Sequence, residues 1–104
     1  MNTPKTVNFC DKIKELYELE TNYQLFKMTK WSQTTIGNYY KKGQSFSDAH
    51  AIQAADLLNL DAGYVMACIH AERAKVENVK NEWLKIAALL LPKNIDNEKD
   101  CILC

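Results

Sequence analysis

Glycine and proline are scarce in this sequence. The 104 residues include three glycines, two prolines, four cysteines and two histidines. Glycine and proline are the residues that most readily end a helix, so their scarcity favours an almost wholly helical chain. A chain of about 100 residues has the usual size of one domain. We therefore expect a single all-α unit with no room for a second full domain.

Long apolar runs are also missing, and we expect no secretory leader. The longest apolar run near the end, residues 86–91, is far shorter than the roughly 20 residues that a membrane helix needs. Four cysteines without a leader do not make the disulfide framework of a small secreted protein. The sequence therefore predicts a reduced, cytoplasmic protein that makes no contact with a membrane.

Residue groups that are typical of catalytic or metal sites do not occur at the required spacings. His50 and His70 are 20 residues apart, and neither has a second ligand at a metal-binding distance along the chain. Cys101 and Cys104 form a C-x-x-C pair, but zinc needs four ligands, so only a four-thiolate site shared by two copies stays open as a hypothesis. No phosphate-cradling glycine loop or activated nucleophile is recognisable. We expect no enzymatic activity, no cofactor and no metal.

Acidic side chains are absent from residues 21–47, although the whole chain has a formal net charge of zero. This stretch contains four lysines, Lys27, Lys30, Lys41 and Lys42, which give it a local charge of +4. A basic patch on a neutral chain attracts a polyanion locally. The charge pattern therefore indicates nucleic acid as a partner.

Two short helices joined by a tight turn are predicted inside this basic stretch, from Thr21 to Gly43. Thr21 or Asn22 can cap the first helix and Ser32 the second, because their side chains accept hydrogen bonds from free backbone amides at a helix start. Ile36 and Tyr39 of the second helix are assigned to packing, together with Thr35. The opposite surface of that helix carries small or amide-bearing side chains: Gln33, Thr34, Gly37 and Asn38.

This amide-bearing surface suits the edges of DNA bases. A Gln or Asn side chain offers a donor beside an acceptor and can form two hydrogen bonds with adenine in the major groove. Glycine and threonine leave room for the helix to approach.

Further helices are predicted on both sides of the pair. A first helix of about three turns follows from the apolar spacing of Val7, Cys10, Ile13, Leu16, Tyr17 and Leu19. Ser47 caps a later helix that packs through Ala51, Ile52, Ala55 and Leu58. From Ala62 a helical pattern continues to Leu90, either unbroken or, as we prefer, with a break near Glu77 to Asn81.

These residues resemble the helix-turn-helix of Cro/CI-type phage repressors, which are lambda repressor-like. The matching positions are Thr21, Leu25, Phe26, Ser32, Gln33, Thr35, Ile36, Asn38, Tyr39 and Gly43, and Ile52, Ala55 and Leu58 continue the match. The resemblance covers about residues 7–70. Residues 61–74, together with Glu82, Trp83, Ile86 and Ala87, further look like small regulators of filamentous phages and prophages. Three positions depart from the pattern: Thr29 stands in an apolar slot, Lys30 replaces a turn glycine, and Gly43 comes one residue late.

The resemblance implies a fold and a domain organisation. The fold would be a five-helix lambda repressor-like DNA-binding bundle with an added C-terminal helix. Residues 1–75 would form the helix-turn-helix DNA-binding domain, residues 76–92 a dimerisation helix and residues 93–104 a flexible tail.

The resemblance also implies a function and a set of contacts. It predicts a homodimeric transcriptional repressor that binds a palindromic operator in phage or prophage DNA, within the nucleoid of a bacterial host. The base contacts would come from Gln33, Thr34 and Asn38. The phosphate contacts would come from Asn22, Tyr23, Lys30, Ser32, Lys41, Lys42 and Gln44.

A heptad-like stripe near the end of the chain predicts the second copy. It comprises Val76, Val79, Trp83, Ile86 and Leu90. Such a stripe commonly packs on its own domain, but five helices already complete the expected core, so we favour a subunit interface. The competing interpretation is an adaptor or antitoxin-like protein that holds another protein through this helix.

Overall fold

A computed structural model describes residues 5–90, which form six helices. These are α1 (Thr6–Leu16), α2 (Asn22–Thr29), α3 (Gln33–Lys41), α4 (Asp48–Leu58), α5 (Ala62–Arg73) and α6 (Glu77–Leu90). No strand occurs in this part of the chain, which confirms the all-α prediction there. The predicted tail with Cys101 and Cys104, and the last two residues of the predicted dimerisation segment, lie outside the described residues.

Aromatic rings from different elements meet in the core around Phe46, in the loop between α3 and α4. The Phe46 ring centroid lies 5.1 Å from that of Tyr39, 5.3 Å from that of Trp31 and 6.4 Å from that of Phe9. All four side chains are at most 3% exposed. This cluster joins α1, the turn before α3, and α3 itself.

The predicted helix caps at Thr21, Ser32 and Ser47 are present. Thr21 Oγ1 accepts a hydrogen bond from the amide of Gln24 at 3.1 Å, and Ser32 Oγ accepts one from the amide of Thr35 at 3.0 Å. Ser47 Oγ does the same for the third residue of α4, at 3.2 Å. Each cap replaces water at an amide that has no partner inside its own helix.

The three unusual positions of the α2–α3 pair each have a local explanation. Thr29 is buried, and its hydroxyl is satisfied there: it donates to the carbonyl of Leu25 at 2.7 Å and accepts from the amide of Trp31 at 3.1 Å. Lys30 ends α2 in the left-handed region with φ of 69°, where glycine is usual, and Gly43 has φ of 67° after α3. A lysine therefore fills the turn that normally uses a glycine.

Two details of the predicted helices are wrong. The break between the last two helices lies at residues 74–76, earlier than Glu77 to Asn81, because Ala74 leaves the helical region with ψ of 131°. Ile52 is 48% exposed and does not join the packing face of α4. The buried residues of α4 are Ala51, Ala54 and Ala55, and Ile52 lies more than a quarter of a turn away from the middle of the face that they form.

Helix α6 folds back and packs against α5. Ala87 is fully buried in this contact, and the Trp83 ring stacks on His70 of α5 with 4.6 Å between ring centroids. None of the helices described is long and apolar enough to cross a membrane.

Candidate nucleic-acid interface

The outward face of α3 carries the predicted base-contact residues. Gln33 and Thr34 are exposed and Asn38 is partly exposed. Across the part of the chain that the structure describes, none of these three side chains makes a hydrogen bond to another residue. A Cβ atom added to Gly37, on the same face, would meet no atom within 4 Å. The face is therefore unobstructed, and its amides are available to an external partner.

The opposite face of α3 holds the helix on the domain. Ile36 is fully buried, and Tyr39 Oη lies 2.6 Å from Nδ1 of His50 on α4, in a hydrogen bond whose direction depends on the imidazole tautomer. The His50 ring in turn stacks on Trp31 at 4.8 Å. Burial lowers the pKa of His50 and raises that of Tyr39 to about 12, so both groups are neutral near pH 7.

Gln53 of α4 fixes the turn between α2 and α3. Its Nε2 donates to the carbonyl of Thr29, and its Oε1 accepts from Nε1 of Trp31, both at 2.8 Å. These two hydrogen bonds tie the end of α2 and the residue before the α3 cap to α4. The sequence does not predict this contact, because nothing along the chain connects a helix glutamine to a turn 24 residues earlier.

The predicted phosphate contacts cluster at helix starts and around the end of α3. Asn22 and Tyr23 form the first turn of α2, where backbone amides point outwards, and Ser32 caps α3. The other four, which follow α2 or end α3, are exposed: Lys30, Lys41, Lys42 and Gln44. All seven predicted phosphate contacts belong to residues 21–47, a stretch that contains four lysines and no Asp or Glu.

Lys14 of α1 is a further basic residue of this region, which the sequence pattern does not predict. Its Nζ donates to Oδ1 of Asn22 at 2.6 Å and lies 4.3 Å from the centre of the Tyr40 ring. An anion bound at the start of α2 would therefore meet the Lys14 charge as well. Tyr40 is held in place through its hydroxyl, which donates to Asp11 at 2.7 Å.

The loop that follows α3 is anchored on both sides. Thr6 Oγ1 accepts a hydrogen bond from the Phe46 amide at 2.8 Å, and Arg73 donates to the Phe46 carbonyl and, at 2.8 Å, to Oγ of Ser45. The carboxylate of Glu72 accepts from both the amide and the hydroxyl of Thr6 at 2.9 Å. The start of α1 and the end of α5 thus position the segment that carries Lys42 and Gln44.

The five predicted interface residues do not share one environment. Trp83 is largely covered by α5, where it stacks on His70. The other four remain at the surface, with exposures of 59% for Val76, 47% for Val79, 41% for Ile86 and 36% for Leu90. Leu89, which the heptad-like spacing did not include, is 82% exposed.

The described residues contain no group of three or more His, Cys, Asp or Glu side chains that could hold a metal ion. Cys10 and Cys68 are buried, and burial raises the pKa of the first thiol to about 12 and that of the second to about 11. Neither thiol is poised to react as a thiolate.

The chain matches no protein-family model, no curated protein and no solved structure.

Proposed function

We propose that this protein is a sequence-specific DNA-binding transcriptional repressor of phage or prophage genes. It acts as a homodimer on a palindromic operator, with α3 as the recognition helix of a lambda repressor-like five-helix arrangement. The observation that carries the proposal is the outward face of α3, where Gln33, Thr34 and Asn38 have no partner among the described residues. The proposal includes no catalytic step and no cofactor.

Gly37 supports this proposal independently. A glycine inside a helix costs about 0.5 to 1 kcal/mol relative to alanine, and close packing can explain such a glycine. Here no neighbouring atom within 4 Å requires it. A helix that enters the major groove benefits from a missing side chain on the face that approaches the bases.

Phosphate contacts and base contacts have separate roles in this mechanism. The exposed lysines around α2 and α3, together with the amides at both helix starts, hold the protein on the DNA backbone without reading sequence. Gln33 and Asn38 read adenine edges, and Thr34 contacts a thymine methyl group or a polar edge. A dimer bound across a promoter then blocks access to it.

Selection of bound fragments from random DNA tests the function. We expect a palindromic motif whose half-sites are about one helical turn apart. In titrations on the selected duplex and on a scrambled one, Gln33→Ala should lose about 1 to 3 kcal/mol per half-site on the selected duplex alone. Lys41→Ala should weaken binding to both duplexes and lower the salt slope. Equal losses for the two variants on both duplexes, or no enriched motif, would contradict the proposal.

Gly37→Ala should raise the stability of the protein and lower its affinity for DNA. The added methyl group has open space, so the free energy of unfolding should rise by about 0.5 to 1 kcal/mol. The same methyl group lies on the face that approaches the bases, so operator affinity should fall by about tenfold or more. Thermal unfolding and DNA titration of the one variant measure both effects. An unchanged operator affinity would show that Gly37 does not lie at the DNA interface.

The exposed apolar side chains of α6 favour a second candidate function, an adaptor or antitoxin-like protein that holds another protein. The two functions differ in what the lone protein does. A repressor shifts its own upstream DNA at nanomolar concentration without a partner. An adaptor has no such affinity and is recovered in a stable heterocomplex.

A further inference from the structure

Helix α6 has a second apolar face, which lies at the surface of the part of the chain that the structure describes. Trp83 and Ala87 face α5, whereas Val79, Ile86 and Leu89 are 47%, 41% and 82% exposed. Together with Glu82, these three residues are spaced by three, four and three positions along the helix. We call Val79, Glu82, Ile86 and Leu89 the outer face of α6.

This spacing is that of the a and d positions of a heptad repeat. Residues at a and d form the seam along which two helices pack. An apolar seam at the surface of a helix that already packs on its own domain through another face is suited to a second helix. The spacing thus favours a helix as the occupant over an extended peptide.

One charged pair interrupts the seam near its middle. Glu82 Oε2 lies 2.9 Å from Nζ of Lys85, and both side chains are about 70% exposed. Residues 82 and 85 are placed symmetrically about the midpoint of α6, which extends from Glu77 to Leu90. The outer face is therefore apolar towards both ends, with the negative charge of Glu82 near its centre and the positive charge of Lys85 beside it.

We infer that α6 pairs with α6 of a second copy in antiparallel orientation, and this inference rests on the proposed homodimer. A two-fold interface uses the same patch on both subunits, so the patch must complement itself. In the antiparallel pair, Val79 of each copy lies beside Leu89 of the other. Glu82 of each copy lies beside Lys85 and Ile86 of the other.

The charges distinguish this orientation from a parallel one. A parallel pair in register would place Glu82 against its own equivalent and Lys85 against its own equivalent, and like charges facing each other oppose association. The antiparallel pair instead gathers two carboxylates and two ammonium groups in alternation around the two-fold axis. Each Lys85 then keeps its own Glu82 and gains that of the other copy.

Charge reversal at the two positions tests the orientation in the full-length protein without DNA. Glu82→Lys or Lys85→Glu creates like-charge contacts at the axis, so sedimentation should show dimerisation weakened by at least tenfold, which is about 1.4 kcal/mol. The double variant Glu82→Lys with Lys85→Glu restores opposite charges and should dimerise like the native protein. An equimolar mixture of the two single variants should form heterodimers.

The α1 helix provides a matched control. Lys12 and Glu15 form an ion pair at the same i, i+3 spacing, with 3.7 Å between Nζ and Oε1. Glu15→Lys breaks that pair but should leave the dimer unchanged. Circular dichroism of all variants, with native helix content expected, separates loss of association from loss of α6.

Three results would overturn the antiparallel pairing. The first is single variants that dimerise as tightly as the native protein, and the second is a double variant that stays monomeric. A native protein that is itself monomeric would remove the homodimer from the proposed function as well. Fragment selection reports on DNA recognition separately, so a failed orientation and a failed repressor give different sets of results.

Discussion

Replacing Phe46 with alanine should lower the free energy of unfolding by about 3 to 5 kcal/mol. The side chain is fully buried, and its ring packs against Tyr39, Trp31 and Phe9 from three different elements. Removing it leaves a cavity that these large rings cannot fill without leaving their own contacts. A domain of this size is stable by only about 5 to 15 kcal/mol, so a large part of the total would be lost.

The same substitution should weaken DNA binding through the position of α3. Phe46 contacts Tyr39 on the buried side of that helix, and its backbone is held by Thr6 and Arg73. Chemical denaturation measures the loss of stability. Tyr23→Ala is the aromatic control for stability alone, because Tyr23 is 54% exposed and its removal should cost about 1 kcal/mol or less. Tyr23 is itself a proposed phosphate contact, so it is no control for DNA binding. Similar losses for the two variants would show that Phe46 is not at the centre of the core.

The sequence predicts those features of the fold whose determinants are local. Thr21, Ser32 and Ser47 each cap a helix that starts at the next residue, because a cap is decided within four residues of chain. The burial of Ile36 and Tyr39 followed from helical periodicity alone, with the exposure of Gln33 and Thr34 as its complement.

The sequence does not predict contacts that join distant parts of the chain. Lys14 reaches Asn22 from another helix, and Arg73 holds a loop 27 residues before it. Neither contact has a pattern that can be recognised along the sequence. The predicted stripe on α6 combines residues of two faces: Trp83 packs against α5, whereas Val79 lies at the surface. Periodicity along the chain cannot distinguish these two faces, because the direction from which α5 approaches α6 is a property of the fold.

Replacing Thr34 with glutamate should abolish specific DNA binding while leaving the fold intact. Thr34 is exposed at the second position of α3, where a carboxylate interacts favourably with the helix dipole and adds about 0.3 to 1 kcal/mol of stability. On the DNA, the same carboxylate would face phosphates and base edges that already present acceptors. We expect operator affinity to fall by at least a hundredfold, or about 2.7 kcal/mol, since both subunits of a dimer carry the change.

Ala49 is the matched control, because it is exposed at the second position of α4, a helix that also begins after a serine cap. The surface of α4 already carries the carboxylates of Asp48 and Asp56, so that surface is unsuited to face a phosphate backbone. Ala49→Glu should therefore bind DNA nearly as tightly as the native protein and unfold at a similar or higher temperature.

Comparing the two variants separates the effect of the α3 surface on DNA affinity from the effect of net charge, because each variant adds one negative charge per subunit at an equivalent helix position. A hundredfold difference between them, with both proteins folded, can arise only if the surface of α3 lies against DNA and that of α4 does not. Equal and small losses would mean that α3 does not enter the groove. Equal and large losses would mean that net charge, and not a recognition helix, controls the affinity for DNA.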